Sequence, residues 1–324
     1  MFKFKYYLIF CIGLMVFISC AAPQITPTQT IDIPQSELKT GTPVEVMPTD
    51  LTPTRVLPTV TEESLEAFPA DPQVIEFSAK DGYRLGGTYY PAAVNPAPLL
   101  VLFHQAGFNE KMWEALAPWL QNRGLLESFV PLNPIGILAR PAYQFYADPT
   151  TFPLIPEGLH LAVFTFTYRC WESGNCSEFD RDGWLLDAQA AVMTAAALPG
   201  VDPRQVVTAG TSIGADGALD ACYLYNQSQG SGCLAAASFS PASYLQMDYF
   251  ETAQSLISQG IRVLCAASQG DVDCANTCNA VEQQTGYQKI IYPGNAHGVY
   301  MIDPNLEPVL LEEFITLLQE ELIE

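Results

Sequence analysis

Short apolar runs alternate with segments of helical periodicity from residue 71 to the end of the chain. A continuous apolar run at 98–103 predicts a strand buried on both faces, and further, largely apolar runs predict buried strands at 161–167, 205–209, 233–239, 261–267 and 287–292. Apolar spacings of three and four predict helices at 109–123, 184–198, 215–225, 244–258, 276–285 and 307–323. A hairpin of residues 73–78 and 83–90 precedes them. We therefore predict an α/β domain with a mostly parallel central sheet of about eight strands and helices on both faces.

The segment 125–157 does not follow this alternation. It contains six Pro and five Phe or Tyr residues without a clear periodicity. We predict that it is a lid-like insertion, which overhangs the functional site and shapes a pocket there. The alternative is a surface excursion that packs on the domain.

The first twenty residues have the layout of a secretory signal. Lys3 and Lys5 precede an uncharged, largely apolar run that ends at Ser19, directly before Cys20. This end resembles the lipobox of bacterial lipoproteins, in which cleavage leaves the cysteine as a lipid-modified first residue. The resemblance implies a signal peptide at 1–19 and lipidation of Cys20, at the outer face of a bacterial membrane in the cell envelope. An uncleaved membrane anchor is the alternative, and it also places the domain outside the cytoplasm.

Residues 20–70 differ in composition from the rest of the chain. Between residues 21 and 70 there are eight Pro and ten Thr residues, and hardly any aromatic residue. Repeated Pro-Thr pairs are incompatible with a continuous helix and lack the alternation of a strand. We predict a disordered linker at 20–70, which holds a domain of residues 71–324 away from the membrane.

The chain is strongly acidic, with 14 Lys and Arg residues, 35 Asp and Glu residues and a net charge of −21. This charge repels phosphate backbones, so nucleic acid is not expected as a partner. It also disfavours electrostatic docking on anionic lipids. The expected contact with a membrane is therefore the anchor at the N-terminus.

Cysteine usage agrees with export, because an oxidising compartment favours pairing. The spacings favour three local disulfides, and these are Cys170–Cys176, Cys222–Cys233 and Cys274–Cys278. Cys265 would then remain a buried thiol in a strand. A zinc site is the alternative use of cysteines, but the chain has no CxxC motif and only three histidines. We therefore expect no metal.

The sequence Gly210-Thr211-Ser212-Ile213-Gly214 lies where a predicted strand passes into a predicted helix. Flanking glycines permit the sharp strand-to-helix turn that presents a serine hydroxyl at the edge of a sheet. The N-terminus of the following helix supplies backbone donors for a developing oxyanion. We therefore predict that Ser212 is a nucleophile; the alternative is a tight turn that merely contains a serine.

A serine nucleophile needs a base that takes its proton. His297 lies in a loop after the last predicted strand, from which it can reach the carboxyl edge of the sheet, so it is the expected general acid and base. His160 begins a strand without polar neighbours and is expected to be structural. The carboxylate that orients the imidazole is Asp271 or Asp273, and we favour Asp271 because it follows a turn glycine.

The order Ser212, Asp271, His297 is similar to the Ser-Asp-His order of the α/β-hydrolase superfamily. From residue 73 to the end, the chain resembles the dienelactone-hydrolase-like and peptidase-like esterases of that superfamily. The resemblance implies an α/β-hydrolase fold. It also implies hydrolysis of carboxylic esters through an acyl-enzyme, without a cofactor and with a small-molecule ester or acyl compound as the substrate.

A second segment carries the same resemblance. His104-Gln105-Ala106-Gly107 resembles the superfamily's HGxG segment, although Gln105 replaces the first glycine. The resemblance implies that the amides of Ala106 and Ile213 form the oxyanion hole. Asp187 falls where the superfamily often has a helix aspartate, and we expect it to be structural.

Two kinds of alternative function remain open at the level of the sequence. The first is peptidase, thioesterase or acyltransferase chemistry on the same triad, because all of these share an acyl-serine step. The second is a non-catalytic surface-binding lipoprotein that kept the fold, since a fold alone does not establish a function.

Overall fold

An eight-stranded sheet forms the centre of the computed structural model, which describes residues 70–122, 149–174 and 176–323. Its strands are β1 (Gln73–Ser78), β2 (Arg84–Tyr90), β3 (Ala97–Phe103), β4 (Ala162–Phe166), β5 (Val201–Thr211), β6 (Cys233–Phe239), β7 (Arg262–Ser268) and β8 (Tyr287–Tyr292). They lie in the order β1-β2-β4-β3-β5-β6-β7-β8. Strand β2 pairs antiparallel with β1 and β4, and the other neighbouring pairs are parallel. The predicted mostly parallel sheet is confirmed.

Helices pack on both faces of this sheet. They are α1 (Leu116–Leu120), α2 (Arg181–Ala196), α3 (Ile213–Gln229), α4 (Tyr249–Ser258), α5 (Val272–Ala280) and α6 (Leu310–Leu322). Buried side chains of α2, α3, α4 and α5 belong to one hydrophobic cluster, and those of α1 and α6 belong to a second. The predicted arrangement, with helices on both faces, is therefore confirmed.

Strand β3 shows how one apolar run serves both clusters. Leu99, Val101 and Phe103 belong to the first cluster, whereas Leu100 and Leu102 belong to the second. All five side chains are fully buried. Successive side chains of a strand point to opposite faces, so a strand with a core on each side needs an unbroken apolar run.

The prediction of one continuous helix at 109–123 is wrong. The structure has a short 3-10 helix at Glu110–Trp113 and then the five-residue α1. Pro118 explains the break, because a proline inside a long helix lacks the N–H donor and collides with the preceding turn. In the observed structure, Pro118 lies in the first turn of α1, where no donor is needed.

Two other helices begin four or five residues away from the predicted position. Helix α4 begins at Tyr249 rather than at 244, because the Asp248 side chain accepts a hydrogen bond from Glu251 N at 3.0 Å and caps the helix. Helix α5 begins at Val272 rather than at 276. Its early start places Asp271 at the N-terminal boundary of the helix.

The described part of the chain contains three disulfides, and one of the predicted pairs is wrong. Cys170–Cys176 and Cys222–Cys233 are paired as predicted. The third disulfide is Cys265–Cys278, and among the cysteines of the described residues Cys274 is the one left as a free thiol. Cys278 faces β7 from α5, with its Cα 5.7 Å from that of Cys265, whereas Cys274 lies one turn earlier on the helix. The predicted Cys274–Cys278 pair is therefore replaced by a link between helix and strand.

Several predictions fall outside the described residues. These are the signal peptide at 1–19, the linker up to residue 69 and most of the insertion at 125–157. Residues 149–157 of the insertion are described, and the Trp119 indole Nε1–H donates to Pro153 O at 2.9 Å. The Phe152 ring packs edge-on against Trp119, so this end of the insertion contacts α1. The lid remains a prediction. Among the described helices, none has the length and apolarity needed to cross a membrane.

Candidate active site

Ser212 occupies a strained turn between β5 and α3. Its φ is +55° and its ψ is −121°, in a region that residues with a Cβ rarely adopt. Its backbone N–H donates to Phe239 O at the end of β6, 2.9 Å away. The side chain is 6% exposed. The turn therefore holds the hydroxyl at the carboxyl edge of the parallel sheet.

The glycines that flank Ser212 are required by close packing. A Cβ at Gly210 would lie 2.8 Å from the Phe103 Cβ, and a Cβ at Gly214 would lie 2.6 Å from His104 O. Each would also overlap backbone atoms, which cannot move as a flexible side chain does. The turn can form against the end of β3 because neither residue has a side chain. This is the physical basis of the sequence motif.

His297 is joined to Asp271 across two neighbouring loops. Its Nδ1 lies 2.7 Å from Asp271 Oδ2. Gly270 N donates to Gly294 O at 2.6 Å and Gln269 N donates to Tyr292 O at 2.8 Å, so the chain leaving β7 stays paired with the chain leaving β8. This pairing brings the carboxylate to the imidazole.

The structure distinguishes the two candidate carboxylates. Asp271 has the N-cap position of α5, yet its side chain makes no capping bond and is directed to His297. Asp273 is exposed in the first turn of the same helix. Of the two, Asp271 is the one that the structure brings to the imidazole.

Gln105 and Ser240 fix the loop that carries His297. Gln105 Oε1 accepts a hydrogen bond from Val299 N at 3.1 Å, and Ser240 Oγ accepts one from Gly298 N at 2.9 Å. Both side chains are buried. Gln105 was visible in the sequence only as a departure from the HGxG pattern, and no local signal indicated Ser240. The glutamine thus makes a contact that a glycine at this position cannot make.

The two amides expected for an oxyanion hole lie on neighbouring segments. Ile213 is the first residue of α3, so its N–H belongs to the helix N-terminus, where backbone donors have no acceptor within the helix. Ala106 lies in the turn after β3, and the end of β3 packs directly against Gly214. The turn after β3 and the N-terminus of α3 therefore adjoin each other.

His104 is a structural neutral imidazole. It is fully buried, and burial lowers its pKa to about 4. Its Nε2 accepts a hydrogen bond from Tyr168 N at 3.0 Å, so Nδ1 carries the proton and donates to Gln105 O at 2.8 Å. His104 therefore orients the turn that contains Ala106, and its nitrogens are occupied by backbone partners.

A buried ion pair stabilises the segment that holds His104. Arg169 Nη2 donates to Asp187 Oδ1 at 2.7 Å, and Arg169 Nη1 donates to Asp81 Oδ2 at 2.7 Å. Asp187 is fully buried and also accepts from Arg169 N. The pair fixes the chain next to Tyr168, whose N–H holds His104. Asp187 thus has the structural role expected for it.

The loop of His297 lies beside the turn of Ser212. A Cβ at Gly298 would lie 3.3 Å from the Cβ of Thr211, the residue before Ser212. Within the described residues, the His297 ring bonds to Asp271 and Cys274, and no hydrogen bond joins it to Ser212. Bonds between a nucleophile and its base are often long in the absence of substrate and shorten in the complex.

Cys274 lies next to the His297–Asp271 pair. Its Sγ is 3.9 Å from His297 Nδ1 and 3.5 Å from Tyr244 Oη. Burial raises the pKa of this thiol to about 12, so it is protonated at neutral pH and is a poor nucleophile. The donor atoms of Asp271, Cys274 and His297 lie within 4.8 Å of one another and are of kinds that hold metal ions.

Comparison with known proteins identifies the architecture. No protein-family model matches the sequence, and no curated protein matches it. The α/β hydrolase GrgF from Penicillium sp. sh18 is similar in structure, with a TM-score of 0.50 and 13% identity over 78% of this chain and 99% of that chain. The dienelactone hydrolase from Anabaena variabilis has a TM-score of 0.48 and 16% identity over 78% of this chain and 97% of that chain. At these identities the similarity concerns the fold and not the reaction. Together with the strand order and the strained serine turn, the similarity to GrgF shows that the chain has the α/β-hydrolase fold.

Proposed function

We propose that this chain is a serine hydrolase that cleaves carboxylic esters through an acyl-enzyme. Ser212 is the nucleophile, His297 the general acid and base, and Asp271 the carboxylate that orients the imidazole. The backbone amides of Ala106 and Ile213 bind the oxyanion. The substrate is a small-molecule ester or acyl compound.

One observation carries this proposal. A serine is held in a strained strand-to-helix turn, and a His–Asp pair with a 2.7 Å contact lies in the adjoining loops of the same sheet edge. Strain of this kind persists where the surrounding structure requires it, and such residues cluster at active sites. A surface-binding protein has no need of this combination.

In the proposed mechanism, each ring nitrogen of His297 has its own task. Asp271 accepts the Nδ1 proton, so Nε2 is left as the basic nitrogen. When Ser212 Oγ attacks the ester carbonyl, Nε2 takes the hydroxyl proton, and the imidazolium is stabilised by Asp271. The negative oxygen of the tetrahedral intermediate then accepts hydrogen bonds from the Ala106 and Ile213 amides.

Collapse of the intermediate releases the alcohol, which receives its proton from His297 Nε2–H. A water molecule then gives a proton to His297 and attacks the acyl-serine, and the carboxylic acid leaves. Peptides, thioesters and transfer to another acceptor follow the same acyl-serine route. We favour esters because the sequence resembles the esterases of the α/β-hydrolase superfamily.

The test compares the full-length protein with Ser212→Ala, using a fluorophosphonate probe and short-chain aryl esters. Wild-type protein should be labelled and should turn over the esters, and Ser212→Ala should lose both, with kcat lower by about 10⁴-fold or more. Ser255→Ala is the matched control, because within the part of the chain that the structure describes its hydroxyl bonds to Glu251 O of its own helix and to no other group. This control should behave as wild type.

Two outcomes would contradict the assignment. Labelling that survives Ser212→Ala would identify another nucleophile. A folded wild-type protein without labelling or turnover would favour the surface-binding alternative. A parallel panel of peptides and thioesters would show which acyl compounds are preferred.

We further propose that the domain is held at the outer face of a bacterial membrane by a lipid on Cys20. The support is the sequence alone, with Lys3 and Lys5, the apolar run and the Ser19-Cys20 pair. Metabolic labelling with an alkyne fatty acid in bacterial cells should tag the wild-type protein and fail with Cys20→Ala. Cys11→Ala is the matched control within the apolar run and should keep the label. A membrane-bound but unlabelled wild-type protein would instead indicate an uncleaved anchor.

A further inference from the structure

Three different types of metal-ligating group meet at the candidate triad, and two of them belong to the triad itself. The carboxylate of Asp271, the free thiol of Cys274 and the imidazole Nδ1 of His297 lie within 4.8 Å of one another. Asp271 and Cys274 begin the same helix, whereas His297 comes from the loop after β8. The proposed ester chemistry uses two of these groups and gives no role to the thiol.

The spacing of the donor atoms suits a tetrahedral metal ion. Zinc bonds of about 2.3 Å to sulfur and about 2.0 Å to nitrogen place these two ligands about 3.6 Å apart. The observed distance between Cys274 Sγ and His297 Nδ1 is 3.9 Å. The Asp271–His297 pair, now 2.7 Å apart, would open by about 0.7 Å as the ion takes the place of the shared proton.

The ligand types in the cluster indicate which metal ions it would bind. A thiolate and an imidazole favour Zn²⁺ and other thiophilic ions, whereas Mg²⁺ and Ca²⁺ prefer oxygen ligands. The site is reachable, since the side chains of His297 and Asp271 are 35% and 18% exposed. Cys274 itself is fully buried and has Tyr244 Oη on its other side.

We propose that Asp271, Cys274 and His297 form a binding site for a thiophilic divalent cation such as Zn²⁺, and that occupation of this site switches the triad off. On binding, Cys274 releases its thiol proton to solvent, whereas His297 releases its Nδ1 proton and takes one up from solvent at Nε2, so one proton is released in total and the imidazole stays neutral. The neutral imidazole then carries its proton on Nε2. A nitrogen that already holds a proton cannot accept one from Ser212.

The site and its effect on catalysis are separate parts of this proposal, and only the effect rests on the proposed function. Binding is measured on the unreduced full-length protein with Co²⁺, because a cobalt–thiolate bond gives a charge-transfer absorption band. Wild-type protein and Ser212→Ala should both show the band. Cys274→Ala should lose it, and Cys274→Ser serves as a second variant if the first does not fold.

The matched control is Asp273→Asn, which removes an exposed carboxylate next to the cluster. This variant should keep the cobalt band, and that result would show that the ion is not held merely by the acidic residues of the helix. Mg²⁺ should not displace Co²⁺, and Zn²⁺ should. A folded wild-type protein without the band, or a band that persists in both Cys274 variants, would overturn the site.

The effect on catalysis is measured as ester hydrolysis during a Zn²⁺ titration, each protein being normalised to its own rate in a chelator. Loss of the correct imidazole tautomer costs on the order of 10⁴ in kcat, so saturating Zn²⁺ should lower the wild-type rate by more than about 100-fold, reversibly. Cys274→Ala should require at least about tenfold more Zn²⁺. A cobalt band with an unchanged rate would overturn the switch. If no ester is hydrolysed in the chelator, the proposed function fails, while the cobalt band still decides the site.

Discussion

Gly298 is the residue on which the position of His297 depends most directly. Its φ is +58°, in the left-handed region that glycine occupies without cost. A Cβ there would overlap Gln105 Oε1 and lie 3.2 Å from Gln105 Cδ. The same oxygen accepts the Val299 N–H, so it cannot retreat without breaking the bond that fixes the loop.

We expect Gly298→Ala to impair catalysis more than folding. The added methyl group displaces Gln105 and with it the loop of His297, and a shift of about 1 Å at a reacting group can cost about 100-fold in rate. Steady-state kinetics on aryl esters should therefore show kcat/KM lowered by about 10- to 100-fold, with the fluorophosphonate labelling rate lowered in parallel.

Gly294→Ala is the control for this prediction. Gly294 lies in the same loop and also has a positive φ of +88°, but a Cβ there meets nothing within 4 Å. Both variants incur the cost of a left-handed alanine, about 1–2 kcal/mol. Only Gly298→Ala should lose most of its activity, and equal losses in the two variants would contradict the role given to Gln105.

At the scale of the element, helix α3 combines the serine turn with two buried carboxyl groups. Asp216 and Asp220 lie one turn apart and are almost inaccessible to solvent. Burial raises the pKa of Asp216 to about 7, although its Oδ2 accepts a hydrogen bond from Tyr244 N. Burial and the neighbouring Asp216 raise the pKa of Asp220. Asp220 Oδ2 has no hydrogen-bond partner within the described residues.

The raised pKa of the buried Asp220 carboxyl group makes the stability of the protein depend on pH. The folded state keeps the Asp220 proton at pH values where the unfolded chain, with an ordinary carboxyl pKa near 3.9, has released it. Below about pH 4 the carboxyl group is therefore neutral in both states, and its ionisation does not lower the free energy of unfolding. As the pH rises towards the raised folded pKa, the protein loses stability. The loss is at most about 1.4 kcal/mol per pH unit for one group.

Asp220→Asn isolates this effect, because asparagine has nearly the same shape and does not ionise. Thermal unfolding should show nearly equal stability of variant and wild type near pH 4, and a growing advantage for the variant as the pH rises. The exposed Asp273→Asn, which removes the same formal charge, should show no such trend. A constant difference between Asp220→Asn and wild type across the range would show that Asp220 is ionised in the folded protein.

At the scale of the whole molecule, the sequence predicts the strands well because their burial is a local pattern. The runs at 233–239 and 287–292 coincide with β6 and β8, and those at 98–103 and 261–267 match β3 and β7 within one residue. The serine turn was also predictable, since its glycines and the flanking strand and helix are contiguous in the chain. The strand order was not predicted, because local patterns do not encode which strands are neighbours.

Contacts between distant segments of the chain were not predictable from the sequence. Gln105 and Val299 are separated by 194 positions, and their hydrogen bond exists only because β3 and β8 end at the same edge of the sheet. The choice between Cys274 and Cys278 as the disulfide partner depends on which face of α5 turns towards β7. Periodicity places both on the helix and leaves that rotation undetermined.

The pairing of Cys265 has a consequence for how the chain matures. If the protein is exported as proposed, its cysteines reach the oxidising compartment in order from the N-terminus. Oxidation of each new thiol with the last free one would join Cys170 to Cys176 and Cys222 to Cys233, as observed, but would then join Cys265 to Cys274. The observed bridge skips Cys274. The last disulfide therefore either forms after α5 has settled on the sheet or is reached by exchange from a Cys265–Cys274 intermediate, so correct pairing of Cys265 depends on the docking of this one helix.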